Sequence, residues 1–191
     1  MLRPGPLPGE FVNLRHLRAE DAELTLRWRQ SSRAYLLNRG SQTIEQQAGW
    51  IISRPQSELN FVIELKNGSP VGMISLINID FQHQRAEAAR FLIGEEAAAR
   101  GIPVAVEAML LIYRVAFDEI KLQRVFGVVA SGNSRMVKWH KYMGLREEGR
   151  LRRHFFMDHQ YHDGILVGLL AEEFRQVTAP RMQGLLAAAR R

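Results

Sequence analysis

The chain has 191 residues and a formal net charge of +6, and 46% of its residues are hydrophobic, which is enough for the core of one domain. It contains no cysteine, which excludes a disulfide framework, a zinc site with cysteine ligands and a thiolate nucleophile. The basic charge favours acidic partners such as phosphates and nucleotides, although the sign of the charge alone does not choose among them.

The ends of the chain are predicted to be tails. The first ten residues, MLRPGPLPGE, lack the apolar region of a signal peptide, so we expect a flexible tail over residues 1–10. A single domain is expected over residues 11–177, with a C-terminal tail over 178–191. No stretch reaches the roughly 20 apolar residues that span a bilayer, so we expect a cytoplasmic protein without a membrane partner.

In the first half of the chain, apolar and polar residues alternate over Phe11 to Leu17, which is typical of a strand. Helices are predicted from Ala19 to about Gln30, where acidic residues occupy the first turn, and from Thr43 to Ser53. Two β-rich runs within residues 59–79 flank the dipeptide Asn67-Gly68, which is a strong hairpin signal.

The second half alternates strands with helices. Residues Val104 to Phe117 are apolar nearly all round, which predicts a buried helix packed on a sheet. The chain from Ala171 is expected to be helical and to break at Pro180. The other predicted elements are strands at Arg85–Ile93, Arg124–Val129, Arg146–Met157 and Gly164–Leu170, and a helix at Asn133–Met143. This order predicts an α/β sandwich with a mixed sheet.

A turn that begins with Arg100-Gly101 precedes the buried helix. Free N–H groups of a first helical turn and the helix dipole together favour an anion at this position. The alternative is a plain turn with Pro103 at the first helical position, where its missing N–H is harmless to the helix. Loop chemistry and charge leave both interpretations open.

The order RAEAARFLIGEEAAARGIPVAVEA, followed by FDEIKLQRVFGVVASGNSRMVKWHKYMGL, resembles the GNAT superfamily of N-acetyltransferases. It is most similar to the branch that includes ribosomal-protein N-terminal acetyltransferases and bacterial amino-sugar acetyltransferases. The resemblance covers about residues 11–172. It implies an α/β (α+β) fold with a mixed, mostly antiparallel central sheet of six to seven strands flanked by helices. It also implies direct transfer of acetyl from acetyl-CoA to a primary amine, without a metal.

The resemblance also implies a coenzyme site. In the family, a loop of the pattern Gln/Arg-x-x-Gly-x-Gly/Ala holds the coenzyme A diphosphate. The matching positions here are Arg100, Gly101, Ile102, Pro103, Val104 and Ala105. Pro103 replaces the first glycine of that pattern, and one lost hydrogen bond to a charged group predicts affinity reduced by about ten- to a hundredfold. Leu92 and Ile93 match the family site for the pantetheine arm. Asn133 matches a coenzyme-contacting asparagine, with a helix N-cap as its alternative role.

Three residues are candidates for proton transfer. Glu87 is expected to act as a base if it faces the cleft with its pKa raised, and is an ordinary strand carboxylate if it faces outward. His140 lies four residues before Gly144, where many family members have a tyrosine that protonates the departing thiolate. Tyr142 lies two residues later. A histidine on the helix surface is the alternative for His140.

The acceptor expected from the resemblance is a small-molecule amine, in particular a nucleotide-linked amino sugar. A protein N-terminus is the second choice, and a non-catalytic binding protein of the same fold is the competing class. His154, His159 and His162 do not have a metal-ligand spacing, so no metal site is predicted. No nucleic-acid partner is expected because the sequence has no aromatic-interleaved RNA motif, although an RNA- or ribosome-associated protein is a third alternative. A homodimer is an open alternative.

Overall fold

A computed structural model describes residues 5–37 and 40–190 of the chain. The described residues form an 8-stranded sheet with the strand order β1-β2-β3-β4-β5-β6-β8-β7. The strands are β1 (Leu7–Pro8), β2 (Val12–His16), β3 (Leu59–Leu65), β4 (Pro70–Asp80), β5 (Arg85–Ile93), β6 (Arg124–Ala130), β7 (Arg146–Met157) and β8 (Gln160–Leu170). All neighbouring strands are antiparallel except β5 and β6, which confirms the predicted mixed, mostly antiparallel sheet.

Helices cover both faces of this sheet. The α-helices are α1 (Ala22–Gln30), α2 (Ile44–Ile52), α3 (Val104–Arg114), α4 (Ser134–Met143), α5 (Ala171–Glu173) and α6 (Ala179–Ala188). Short 3-10 helices occupy Ala19–Asp21 and Ser32–Ala34, and π-helical turns occupy Val115–Glu119 and Phe174–Thr178. Within the described part of the chain, no helix is long and apolar enough to cross a membrane.

Alternation along the strands divides the apolar side chains between two clusters. Phe61 and Ile63 of β3 pack with α3 and α6 in the larger cluster, where Phe117 also stacks on Phe174 at a ring-centroid distance of 5.0 Å. Val62, between them, faces the opposite side and packs with Trp28 of α1. The side chains of adjacent strand residues point to opposite faces, so the sheet separates an α3 face from an α1 face.

Of the tail predicted over residues 1–10, residues 1–4 lie outside the described residues, and Leu7–Pro8 form strand β1. Leu7 is buried in the larger cluster, and β1 pairs with β2 to form the eighth strand. The backbone N–H groups of Glu10, Phe11 and Val12 donate to the buried carboxylate of Glu107 on α3, at 2.7, 2.6 and 2.7 Å. The local sequence gives no sign of this long-range contact, because its main features are the prolines and glycines of MLRPGPLPGE.

Two predicted boundaries were wrong. Helix α6 continues through Pro180, because the proline lies in its first turn, directly after the π-helical turn, where a missing N–H is tolerated. Strand β8 begins at Gln160 instead of Gly164. Asp158 and His159 alone form the turn, with φ of 49° and 61°, a geometry that suits a two-residue hairpin.

Candidate functional site

The strands β5 and β6 separate to form a cleft. They pair at three positions only, from Arg85 opposite Arg124 to Glu87 opposite Phe126. Beyond these pairs β6 continues along β8 to Ala130, whereas β5 follows β4. The backbone groups of residues 88–93 that face β6 are therefore without a partner strand, and such groups can hydrogen-bond an extended ligand.

A β-bulge at Arg90 accompanies this separation. Leu92 is opposite Met73 and Ala89 is opposite Ser75, so two residues of β5 face one residue of β4 between these pairs. Arg90 has a φ of 54°, in the left-handed region that a non-glycine residue rarely adopts. A bulge bends its strand and redirects its side chains, which explains why β5 leaves β6 at this point.

The side chains of Leu92 and Ile93 belong to the protein core. Leu92 is buried in the α1-face cluster, and Ile93 packs against the larger cluster. Their backbone groups are thus the parts that can contact a ligand in the cleft. On the α3 face, Phe91 of β5 stacks on Trp139 of α4 across the gap, with a ring-centroid distance of 6.5 Å.

The loop from Arg100 to Ala105 leads into the N-terminus of α3, as predicted. Gly101 adopts a φ of 78° and Arg100 is exposed. Pro103 is the N-cap and has no N–H, and the N–H of Val104 donates back to the carbonyl of Ile102 at 2.8 Å. The amides of Ala105 and Val106 remain without intrahelical partners by helix geometry. The loop therefore lacks two free N–H donors for an anion, those of residues 103 and 104, and not only the one that is lost at Pro103.

Asn133 and His140 lie on α4, which follows β6. Asn133 is the N-cap, and its side-chain oxygen accepts from the N–H of Met136 at 3.2 Å. Its amide nitrogen carries two further donors. His140 is buried, only 9% exposed, and its Nδ1 has no hydrogen-bond partner. Burial lowers the pKa of His140 to about 4, so its imidazole is neutral at pH 7 and is a poor proton donor.

Tyr142 lies on a different face of α4 from His140. Its side chain is 58% exposed, and the guanidinium carbon of Arg181 on α6 lies 5.5 Å from its ring centroid. Residues two positions apart in an α-helix project in nearly opposite directions. The structure does not bring the two predicted proton donors together, because one is inside and the other is on the surface.

Glu87 is at the last paired position before the strands separate. Its Oε2 accepts a hydrogen bond from Nδ2 of Asn78 at 3.1 Å. Burial raises the pKa of Glu87, and this effect exceeds the opposing effects of the Asn78 hydrogen bond and of the charges of Arg90 and His154. A carboxylate with a raised pKa at the edge of a cleft is suited to accept a proton near neutral pH.

A polar network on the α1 face was missed by the sequence analysis. Arg90 donates to both carboxylate oxygens of Glu58 at 2.7 and 3.2 Å, and to the side-chain oxygen of Asn60 at 2.9 Å. The hydroxyl of Ser75 donates to the same Asn60 oxygen at 2.7 Å. Asn60 and Ser75 are polar residues within largely apolar strands, and this was the feature of the sequence from which the network could have been predicted.

Arg29 was also missed. Its Nη1 is buried without a hydrogen-bond partner. Burial, with a smaller contribution from the positive charge of Arg90, lowers the pKa of Arg29 to about 10. Because arginines are common on helix surfaces, the run Arg27-Trp28-Arg29 gave no sign that one of its charges is buried.

Within residues 5–37 and 40–190 no group of three or more metal-binding side chains comes together.

The chain is similar to known proteins in both sequence and fold. The sequence model of a family described as "Acetyltransferase (GNAT) domain" matches residues 12–146. The spermidine N(1)-acetyltransferase of Escherichia coli K12 is 28% identical over 119 residues, which are 62% of this chain and 62% of that protein. The Bacillus subtilis protein YdaF, whose name proposes a ribosomal N-acetyltransferase, is 34% identical over 110 residues, 58% of each chain. The chain thus matches about three fifths of the length of these curated relatives.

Solved structures share the fold. Spermidine N-acetyltransferase from Vibrio cholerae in complex with CoA and spermine has a TM-score of 0.77 at 21% identity, over 88% of this chain and 100% of that chain. A GCN5-related N-acetyltransferase from Brucella melitensis has a TM-score of 0.80 at 20% identity, over 97% of this chain and 86% of that chain. At these identities the likeness is one of fold.

Proposed function

The chain belongs to the GNAT acetyltransferase family, and on that premise we propose that it transfers acetyl from acetyl-CoA directly to a primary amine. The observation that carries this proposal is Glu87, a partly buried carboxylate with a raised pKa at the point where β5 and β6 separate. A cleft of this kind can hold a thioester and an amine side by side, which supplies much of the rate of a bimolecular reaction.

The proposed reaction needs one proton to leave the amine and one to reach the thiolate. The neutral amine attacks the thioester carbonyl, the C–N bond forms, and the C–S bond breaks. Glu87 accepts the proton that the attacking nitrogen loses, directly or through a water molecule. The coenzyme leaves as a thiolate and takes up a proton to become the free thiol. The products are the acetylated amine and coenzyme A.

Acetyl-CoA would supply the activated acetyl group, and four parts of the chain would hold it. The unpaired backbone of residues 88–93 would bond the pantetheine arm, and Asn133 would donate from its amide nitrogen. The amides of Ala105 and Val106, beside the exposed Arg100, would bind the diphosphate. The arrangement fits a coenzyme bound with reduced affinity, since Pro103 and Val104 give no free donor.

His140 is proposed to act as a neutral hydrogen-bonding group and not as an acid. Its lowered pKa leaves no dissociable imidazolium proton at pH 7. A thiolate is a good leaving group because thiols have pKa values of about 8.5, so strong acid catalysis is not required. The exposed position of Tyr142 gives it no part in this proposal.

For the acceptor we propose an amine of a nucleotide-linked amino sugar, and the net charge of +6 supports a negatively charged substrate. A protein N-terminus is the alternative acceptor of the same reaction. The competing function is a binding protein without turnover, which is favoured by the donors missing from the loop at Pro103.

Calorimetric titration with acetyl-CoA, compared with free coenzyme A, tests the coenzyme part first. Micromolar binding would support the proposal, and no heat of binding at millimolar ligand would overturn it. A thiol-release assay over amino sugars, their nucleotide-linked forms and peptides then tests transfer. Tight coenzyme binding without thiol release on any amine would favour the non-catalytic binding protein.

A further inference from the structure

The guanidinium group of Arg29 is partly buried, and its Nη1 atom is buried without a partner among the described residues. Its Nη1 has no hydrogen-bond acceptor, and none of the salt bridges among the described residues includes Arg29. A buried, unpaired charge costs several kcal/mol of desolvation and is rarely retained without a compensating group. Arg90 of β5 differs from Arg29, because its charge is paired with the carboxylate of Glu58 at 2.7 Å.

Arg29 is located at the acceptor side of the cleft. It follows Thr25 by one helical turn, so both lie on the same face of α1. Thr25 accepts a hydrogen bond at 2.9 Å from Gln47 of α2, which places this face of α1 against α2. Trp50, nearly one turn after Gln47, lies 5.0 Å from the guanidinium carbon of Arg90. Arg29 is therefore held above the same part of the sheet as Arg90.

The proposed base, Glu87, lies three residues before Arg90 on β5. Arg90 is close enough to influence electrostatically both Arg29 and Glu87. An anion bound to Arg29 would thus be held on the same face of the sheet as the group that receives the proton of the amine. In contrast, a polyamine would bring further positive charge next to Arg29, and like charges repel strongly in a partly buried site.

We infer that the acceptor amine carries an anionic group, a carboxylate or a phosphate, and that Arg29 binds this group and so determines specificity. This inference rests on the proposed function and names the substrate class of the same site. Arginine suits the role because its planar guanidinium can donate two parallel hydrogen bonds to a carboxylate or a phosphate. The fixed Arg90–Glu58 pair would form the wall of the subsite and would add little net charge.

Paired substrates that differ only in the anionic group test the inference. Glucosamine 6-phosphate is compared with glucosamine, and glycylglycine with glycylglycinamide, so the two pairs distinguish phosphate from carboxylate. We expect kcat/KM to be at least about tenfold higher for the anionic member of one pair, and spermidine to be a poor acceptor. Equal use of both members of both pairs would overturn the inference.

The variant Arg29→Gln should lower kcat/KM for the anionic member of a pair more than for the neutral member, and so remove the preference. The matched control is Arg114→Gln, which loses the same charge at the exposed far end of α3 and should keep the preference. Arg29→Lys keeps the charge without the planar donor pair and should retain part of the preference. If Arg29→Gln slowed both members of a pair equally, a role in specificity would be excluded.

Thermal unfolding separates the anion site from the reaction. At constant ionic strength, inorganic phosphate or acetate should raise the Tm of the wild-type protein and of Arg114→Gln more than that of Arg29→Gln. Without added anion, Arg29→Gln should melt no lower than wild type, because it removes an unpaired buried charge. The inference would be overturned if neither anion raised the Tm of the wild-type protein, or if each anion raised the Tm of wild type and of Arg29→Gln equally. An Arg29-dependent response without acetyl transfer to any amine would support the anion site and overturn the proposed function.

Discussion

The two sides of the cleft differ in how their chemistry is encoded. On the proposed coenzyme side, the loop from Arg100 to Ala105 and the start of α4 are each continuous segments, and the residues of each are neighbours in sequence. On the proposed acceptor side, Glu87 and Arg90 lie on β5 and Arg29 lies on α1, and Arg29 comes within electrostatic range of Arg90 only after α1 has packed on the sheet. The coenzyme side was therefore visible as a motif, whereas most of the acceptor side became visible only in the fold.

Burial also has opposite consequences on the two sides. It raises the pKa of Glu87, which prepares the carboxylate to accept a proton. It lowers the pKa of His140 to about 4, which removes the proton that an acid would donate. The same physical effect thus favours proton uptake by Glu87 and disfavours proton donation by His140, because the two groups carry charge in opposite protonation states.

Replacing the acceptor-side carboxylate should have the largest effect. Glu87→Gln keeps the shape of the side chain but cannot take a proton, so kcat/KM should fall by about a hundredfold or more. Steady-state thiol release at saturating acetyl-CoA measures this fall, while calorimetry should show unchanged coenzyme affinity. The acid limb of the wild-type pH profile should lie above the ordinary glutamate pKa of about 4.3, in accordance with the raised pKa.

The matched control for this variant is Glu119→Gln, which removes an exposed carboxylate from the π-helical turn after α3 and should keep full activity. A Glu87→Gln protein with wild-type kcat/KM would exclude base catalysis by this residue. Positioning of the two substrates would then account for the rate.

The buried histidine on the coenzyme side should be visible in stability. The pKa of His140 is lowered in the folded protein from 6.5 to about 4, so the unfolded chain binds the proton more tightly in this window. Stability should therefore decrease as pH falls from 6.5 to 4, by up to about 3 kcal/mol from this group. Urea unfolding at several pH values measures the free energy of unfolding of wild type and of His140→Gln. Relative to its value at pH 7, the unfolding free energy of wild type should fall more than that of His140→Gln as the pH is lowered.

His83→Gln removes an exposed histidine and should retain most of the pH dependence of the wild-type protein. The same slope of unfolding free energy against pH in wild type and His140→Gln would mean that His140 is hydrated in solution. An imidazolium could then form in the cleft, and a role as an acid would be open again.

The sequence was sufficient for the architecture because local patterns determine it. Alternation, helical periodicity and the Asn67-Gly68 turn predicted nearly every long element. The elements it placed wrongly depend on distant partners or on backbone geometry. β1 is stabilised by pairing with β2, and the segment after it by a carboxylate 95 to 97 residues away. Pro180 is tolerated because of the π-helical turn before it.

The candidate site residues show the same division. Glu87, Arg100 to Ala105, Asn133 and His140 could be named because they match a continuous family pattern. The bulge at Arg90 could not be predicted, since it follows from the registers that β4 imposes on β5 and not from any residue preference. The burial of Arg29 could not be predicted either, because it results from the packing of α1 against α2 and the sheet.

The smallest of the three predicted effects concerns the loop from Arg100 to Ala105, which departs from the family pattern at Pro103. Pro103→Gly restores an N–H group and frees φ at the start of α3, and it allows the N–H of Val104 to turn away from Ile102. We expect acetyl-CoA to bind about tenfold more tightly, since one hydrogen bond to a charged group is worth about 1.5 kcal/mol or more. Calorimetry measures the change in Kd.

Pro55→Gly is the control for added backbone flexibility. Pro55 is exposed in the turn before β3, so its replacement should leave the Kd of acetyl-CoA unchanged. Free coenzyme A should gain as much affinity as acetyl-CoA, because both carry the diphosphate that the loop would bind. A gain for acetyl-CoA alone would locate the effect at the thioester, and no gain for either ligand would mean that the diphosphate lies away from this loop. Equal gains would instead place the strengthened contact on a part that both ligands share, as expected if the loop binds the diphosphate.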